Sequence, residues 1–494
     1  MILITLSVIA AACAIGLTGA GIASWALAET PSPQLGYFNW IAFLLRLSVG
    51  LAVGLALWSA SYSAVLFCFG STAAFRIAKD VILALIGLSI LVSPSKGTRA
   101  TESRARPAPT RAGYRISSAV LGTIFLLSTF GAAFSFLAAT NAAPEGGWDA
   151  WAIWNLRARF LARSGDEFAA AFSPAISWTH PDYPLLLPGL VAQVWIIVCH
   201  EPTTVPAVVS FTFLLISLGT MVSGISSLKD TCTGSLAGLV LISAPIFVQQ
   251  AASQYADVPL AAYQLIACMT LVLACESSIY RPRRLIMLTG FMAAAAAWTK
   301  NEGILFFVSL AVAIGILPFF HASRDATRMG LLKCYLLGAL PLLVLIAYFK
   351  WKYAPANDLA SDAPRRLIAQ CTDLERHLAI LRSAKLHMLD SRKWNYFVLV
   401  LPFFTVACGC RKHLPRSFVP LSVAAGLVSL GFYGAYLVTP HDINWHLDHS
   451  IDRLFVQMWP IVVLTLFLPQ CRFAYSSECE ITLSGSQSDI KTGH

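Results

Sequence analysis

Long unbroken apolar runs alternate with short polar connections from one end of the chain to the other. Runs long enough to cross a hydrocarbon core lie near 2–28, 39–60, 116–138, 205–226, 232–248, 257–275, 303–319, 331–349, 417–438 and 453–469. Shorter runs near 81–93, 184–199, 284–298 and 396–410 bring the expected total to about 12–14 membrane helices. In lipid a backbone must satisfy its own hydrogen bonds, and nothing alternates with the period of a strand, so the expected fold is an all-α polytopic membrane protein. The first run lacks the positive flank of a cleavable signal and reads as a retained helix.

Composition agrees: 57% hydrophobic residues, 12% charged residues and a mean hydropathy of +0.68 exclude a soluble globular chain of 494 residues. Charge adds orientation. The net charge is +10, and the surplus cations gather in a few connections: Lys96, Arg99, Arg104, Arg106, Arg111 and Arg115; Arg281, Arg283 and Arg284; Arg324 and Arg328; Arg411, Lys412 and Arg416. This is the pattern by which a membrane protein encodes its sidedness, not a nucleic-acid footprint. With these connections in the cytoplasm, segments 140–183, 250–256, 300–302, 350–394 and 440–452 meet on the opposite face. One conflict arises, because 184–199, 205–226 and 232–248 are three runs where an even number of crossings is needed. The expectation is that 184–199, bracketed by Pro184 and Pro188, or one of its neighbours does not span. Arg76 and Lys79 suggest a cytoplasmic position ahead of the short run 81–93, which leaves the N-terminal third ambiguous. The twelve cysteines are scattered without paired spacings and read as packing residues.

The expected organisation is an N-terminal extension (1–93), a basic linker (94–115), a membrane core (116–349) carrying the loop 140–183, a second long loop (350–394), C-terminal helices (395–470) and a polar tail (471–494). No internal repeat is visible, which counts against a transporter built from inverted halves. In the first loop Trp151, Trp154, Ala158 and Leu161 recur at helical spacing with Asn155, Arg159 and Arg163 on another face, the pattern of an interfacial helix. The second loop should carry one or two more amphipathic surface helices.

Five places hold candidate chemistry. Asp149 follows Gly146, Gly147 and Trp148 at the end of a span, as a catalytic acid or a helix N-cap. The turn His180-Pro181-Asp182-Tyr183-Pro184 is stiffened by its prolines. Asp257 opens an apolar segment, where an ionisable group is costly enough to suggest function, with capping again the alternative. Lys300, in Trp298-Thr299-Lys300-Asn301-Glu302-Gly303, either binds a phosphate or snorkels against Glu302. Finally 441–453 packs His441, Asp442, His446, Asp448, His449, Asp452 and Arg453 ahead of the last span. His446 and His449 share a helix face at metal-ligand spacing, but nothing else completes a zinc set, and a polar acceptor or phosphate pocket is preferred; Arg453 at the boundary suits a lipid phosphate.

In order and spacing these elements, over roughly 116–470, resemble the GT-C superfamily of membrane glycosyltransferases, in particular the protein O-mannosyltransferase and aminoarabinose transferase branch. The resemblance implies transfer of a monosaccharide from a polyprenyl-phosphate donor to an extracytoplasmic lipid, glycan or protein, with inversion. By that similarity Asp149 is the base. Asp257, His180 and Asp182 serve a divalent metal ion or the acceptor; Lys300, Arg453 and Arg157 hold the donor phosphate; Glu302, His446 and His449 line the acceptor pocket. The location implied is a bacterial inner membrane with the site facing the periplasm. One departure is plain: Asp149 is followed by Ala150 where many relatives carry a second acid. The rival readings are a carrier of lipid-linked sugars and a glycan ligase or polymerase of another fold.

Overall fold

The computed structural model describes residues 2–28, 39–93, 118–163, 165–317, 328–357, 363–396 and 414–470. Every regular element among them is helical. Three helices come first, α1 (Ile2–Ala26), α2 (Trp40–Phe69) and α3 (Ala73–Val92), followed by α4 (Ser118–Ala142). The first loop holds a π turn (Ala150–Trp154), α5 (Asn155–Arg163) and two 3-10 segments. Then come α6 (Leu186–Val198), α7 (Thr204–Leu228), α8 (Thr231–Ile242), α9 (Pro245–Ala252), α10 (Asp257–Glu276), α11 (Pro282–Thr299), α12 (Glu302–Ile316) and α13 (Arg328–Lys352). The second loop carries α14 (Ala363–Gln370), α15 (Leu374–Met388) and α16 (Ser391–Trp394), ahead of α17 (Phe418–Val438) and α18 (Ile443–Phe467).

Eight of these helices, α1, α2, α4, α7, α10, α13, α17 and α18, are long and apolar enough to cross a membrane, and the protein is a multi-pass membrane protein. The α8–α9 pair is bent by 64°, with Pro245 opening its second half, and counts as a ninth crossing if the two halves form one broken span. The charged α3, the alanine-rich α11 and the short α12 run beside these. The expected 12–14 crossings are thus approached only when less apolar or shorter helices are counted. The run 396–410 beyond Tyr396, the linker 94–115, Arg324, Arg411, Lys412 and the tail lie outside the described residues.

Contacts sort the helix ends into two faces. At one, Lys229 after α7 donates to the carbonyls of Phe467 and Gln470, Glu276 at the end of α10 accepts from Ser417, and Arg284 donates to the Trp25 carbonyl at 2.9 Å. At the other, the two long loops meet the end of α2, where Phe67 packs on Phe168 and Tyr353. The crossing conflict resolves at α6. Its 13 residues extend about 20 Å, short of a core about 30 Å thick. Glu201, just beyond it, is bound by Arg163 and Arg159 of the first loop, so the chain enters and leaves α6 on the loop face. Arg76 and Lys79, by contrast, sit at the loop-face end of α3 and do not join the other basic connections. The interfacial reading of α5 is also modified, since Trp154, Ala158 and Leu161 are buried within protein and Tyr62 of α2 donates to the Leu161 carbonyl. On α14 and α15, Ile368, Leu374, Leu381 and Leu386 do remain exposed, as amphipathic surface helices require.

At the centre stands α10, apolar all round and buried without a break from Asp257 to Leu273. Beside it α11 crosses α13 through small residues. A Cβ at Gly290 would overlap the backbone carbonyl of Tyr335, so this close approach admits only glycine. Replacing Gly290 with Val is expected to cost at least about 1–3 kcal/mol through overpacking, measured as a fall in thermal stability of the purified protein. Gly315→Val, at a position with nothing within 4 Å, should leave stability nearly unchanged.

Candidate functional site

Asp257 begins α10 on the loop face with no solvent exposure. A carboxylate so placed needs close cationic partners, and it has them. Lys300 Nζ lies 3.0 Å from Oδ1, Gln457 Nε2 donates to the same oxygen at 2.6 Å, and Arg453 Nε donates to Oδ2 at 3.0 Å. Lys300 stands in the turn between α11 and α12 and also pairs with Glu302 Oε1 at 2.7 Å. Arg453 and Gln457 lie one turn apart on the same face of α18. From Arg453, Nη2 reaches on to Asp149 Oδ2 at 2.6 Å, while the guanidinium lies 5.0 Å from the centre of the Tyr255 ring. The result is one continuous chain, Glu302–Lys300–Asp257–Arg453–Asp149, whose outer members keep some access to solvent: side-chain exposure is 0% at Asp257, 13% at Asp149 and 21% at Glu302.

Capping explains neither catalytic candidate. Asp149 makes no side-chain cap bond to the turn it precedes, and Asp257 lies inside α10 after an uncapped Ala256. Among the described residues Asp230, Asp373, Asp390 and Asp442 are acids that do cap helices. The two glycines before Asp149 place it. Gly146 adopts φ +77°, Gly147 donates its N–H to the Ser253 carbonyl at 3.0 Å, and any side chain on Gly147 would strike the Tyr255 ring. Gln254 completes the clamp by donating to the Pro144 carbonyl at 3.0 Å. Burial, and then the neighbouring Asp149 carboxylate, push the Tyr255 phenol above its ordinary value and keep it a neutral hydroxyl.

The turn at 179–183 lies against this chain. Tyr183 is stacked between Trp154 and His180, with ring centres at 5.5 and 5.1 Å, and Lys300 Nζ lies 5.9 Å from its ring centre. Arg157, expected at the donor phosphate, is instead buried beneath the turn, where it donates to the carbonyls of Tyr183, Thr179 and His180 at 3.1, 2.9 and 2.7 Å. That holds His180 in its left-handed conformation (φ 51°) and leaves Arg157 a structural role; burial draws its pKa down to about 10. Asp182 accepts from Asn301 at 2.6 Å and Asn357 at 2.8 Å. Lys350 Nζ donates to the Asp182 carbonyl and to Asn301 Oδ1, locking this turn to the one that carries Lys300.

Both carboxylate oxygens of Asp257 are engaged, by Lys300 and Gln457 on one side and Arg453 on the other, while Arg453 meets Asp149 through Oδ2 and two amides meet Asp182 through Oδ2. Among the described residues no three His, Cys, Asp or Glu side chains come together as a metal-binding group. His446 and His449 are not drawn into the charge chain: His446 bonds Thr439 at 2.9 Å, and His449 bonds the Trp445 carbonyl of its own helix at 2.7 Å.

No family model, curated protein or solved structure matches this chain. The glycosyltransferase resemblance therefore rests on the residues themselves. Sequence reasoning brought forward five members of the chain and missed Gln457, Tyr255 and Lys350. Gln457 had a readable signal, a polar residue one helical turn past Arg453 inside an apolar run. Lys350 had none beyond its place at the end of a span.

The chain sets the stability prediction. Asp257→Ala strands Lys300 and Arg453 without their shared partner and is expected to cost about 3–5 kcal/mol, measured by thermal unfolding in detergent. Asp257→Asn, which keeps the hydrogen-bond acceptor, should cost less.

Proposed function

We propose that this protein transfers a monosaccharide from a polyprenyl-phosphate donor to an acceptor on the loop face, with Asp149 as base. The observation that carries the reading is the pairing of Asp149 with Arg453, at the partly open outer end of a chain that also holds Lys300. One carboxylate able to take a proton and two cations able to hold a phosphate stand together where the membrane helices meet the loops.

The chemistry asks for this set and little more. A polyprenyl phosphate leaves as a stabilised anion, so no acid is needed to protonate it, unlike a glycoside. Arg453 and Lys300 would hold the phosphate and offset its charge as the bond to the anomeric carbon breaks and its electron pair stays on the phosphate oxygen. Asp149 would take the acceptor hydroxyl proton as that oxygen forms its bond to the anomeric carbon from the opposite side, which inverts the centre. Without ligand, Arg453 engages the carboxylate that must act as base. A phosphate that draws Arg453 away would free Asp149 only when donor is bound, which would couple release of the base to donor binding. A bacterial inner membrane with this face toward the periplasm is part of the same proposal.

A second reading, a carrier for lipid-linked sugars, has one observation in its favour. Lys79 and Asp80 form a buried pair in α3, with Trp58 Nε1 donating to Asp80 at 2.9 Å, away from the charge chain. A buried ion pair on a helix packed beside membrane spans is a feature that a translocating protein could use.

Two measurements separate the readings. Asp149→Asn should lower consumption of a polyprenyl-phosphate monosaccharide at least about 100-fold while donor affinity is retained; unchanged turnover would remove Asp149 from the mechanism. Donor at about 100 times its dissociation constant should stabilise the wild type by roughly 2.7 kcal/mol, and Lys300→Ala and Arg453→Ala should lose that gain. Transport of intact donor into vesicles, without bond cleavage, would favour the carrier.

A further inference from the structure

Two buried acceptors on the charge chain have no donor among the described residues. Gln457, with no solvent exposure, gives its amide N–H to Asp257 and leaves Oε1 without a partner. Glu302 gives Oε1 to Lys300 and leaves Oε2 buried and likewise unpartnered. Buried acceptors in folded proteins nearly always find donors, so two orphans on one connected group require an explanation. They bracket the Asp257–Lys300 pair, one from α18 and one from the first turn of α12. Neither can be satisfied by the phosphate, because both orphans are acceptors and a phosphate diester offers no donor.

We infer that Glu302 Oε2 and Gln457 Oε1 accept hydrogen bonds from hydroxyls of the donor's glycosyl group, so that the chain reads the sugar on its inner side and the phosphate through its cations. This rests on the transferase reading and assigns Glu302 to the donor sugar, where the resemblance had placed it at the acceptor. The chemical class required is a sugar with free hydroxyls; a fully acylated one would leave both oxygens unmet. A site whose buried acceptors are completed by substrate hydroxyls rejects ligands that lack them far more strongly than an apolar pocket rejects a missing methylene. Entry of a sugar to Gln457 requires Arg453 to move, and the same motion frees Asp149. Sugar recognition and base release are thereby tied to one side chain.

The test compares equilibrium binding of short-chain polyprenyl-phosphate mannose, glucose, galactose and arabinose with binding of the same polyprenyl phosphate bearing no sugar. Measurements use the full-length protein in detergent, as wild type, Glu302→Gln and Gln457→Leu. At least one sugar-bearing lipid should bind wild type roughly tenfold or more tighter than the bare lipid phosphate. Each variant should lose most of that preference while still binding the bare lipid, which also shows that it is folded. A preference that survives in both variants overturns the inference. Equal binding of sugar-bearing and bare lipids by wild type overturns it as well, yet leaves a lipid-phosphate site in place. Binding of neither lipid removes both this inference and the transferase reading.

Discussion

Asp257 is a carboxylate with no exposure at the end of a helix buried along almost its whole length, and the arrangement of the loop face follows from the need to compensate it. The free energy of leaving such a charge unpaired is comparable to the whole stability of a domain. Three elements therefore converge on it: the α11–α12 turn with Lys300, α18 with Arg453 and Gln457, and, through Arg453, the first loop with Asp149. One buried acid draws together residues more than 300 positions apart in sequence, from Asp149 to Arg453 and Gln457.

Around that centre the protein uses rigid fixtures. Arg157 holds the 179–183 turn by three carbonyls, Lys350 and Asn301 tie that turn to Lys300, and the Gly146-Gly147 pair lets the first loop lie against 253–255. These contacts place Asp149 and Lys300 without touching either carboxylate oxygen or ammonium that would act. The division is physically sensible. On the proposed reading, groups that would exchange partners are held by ion pairs that a phosphate could displace, and their supports by buried hydrogen bonds that it could not.

The N-terminal helices follow a different logic. They pack through small residues, with Gly21 against the backbone at Gly87, and dock on the core where Ser59 donates to the Leu186 carbonyl at 2.8 Å. Their buried Lys79–Asp80 pair belongs to no part of the charge chain.

Apolar runs longer than a bilayer core, separated by basic connections, were enough for the sequence alone to determine the helical membrane class, because lipid leaves a spanning backbone few alternatives. The basic connections led to the expectation that 140–183, 250–256, 300–302 and 440–452 share a face, although the count of apolar runs between the first two came out odd. Asp149, Asp257, Lys300, Glu302 and Arg453 were legible because a charge beside an apolar run stands out. Tertiary structure alone decided which charges meet. Nothing local to Arg157 distinguishes a phosphate ligand from a staple beneath a turn, and nothing local to His446 or His449 shows that their partners are Thr439 and their own helix. The sequence required that 184–199 or one of its neighbours fail to span, and only the contacts of Glu201 with the first loop single out α6. Those outcomes depend on distances between segments far apart in the chain, and apolar patterning carries the direction of a helix without carrying its neighbours.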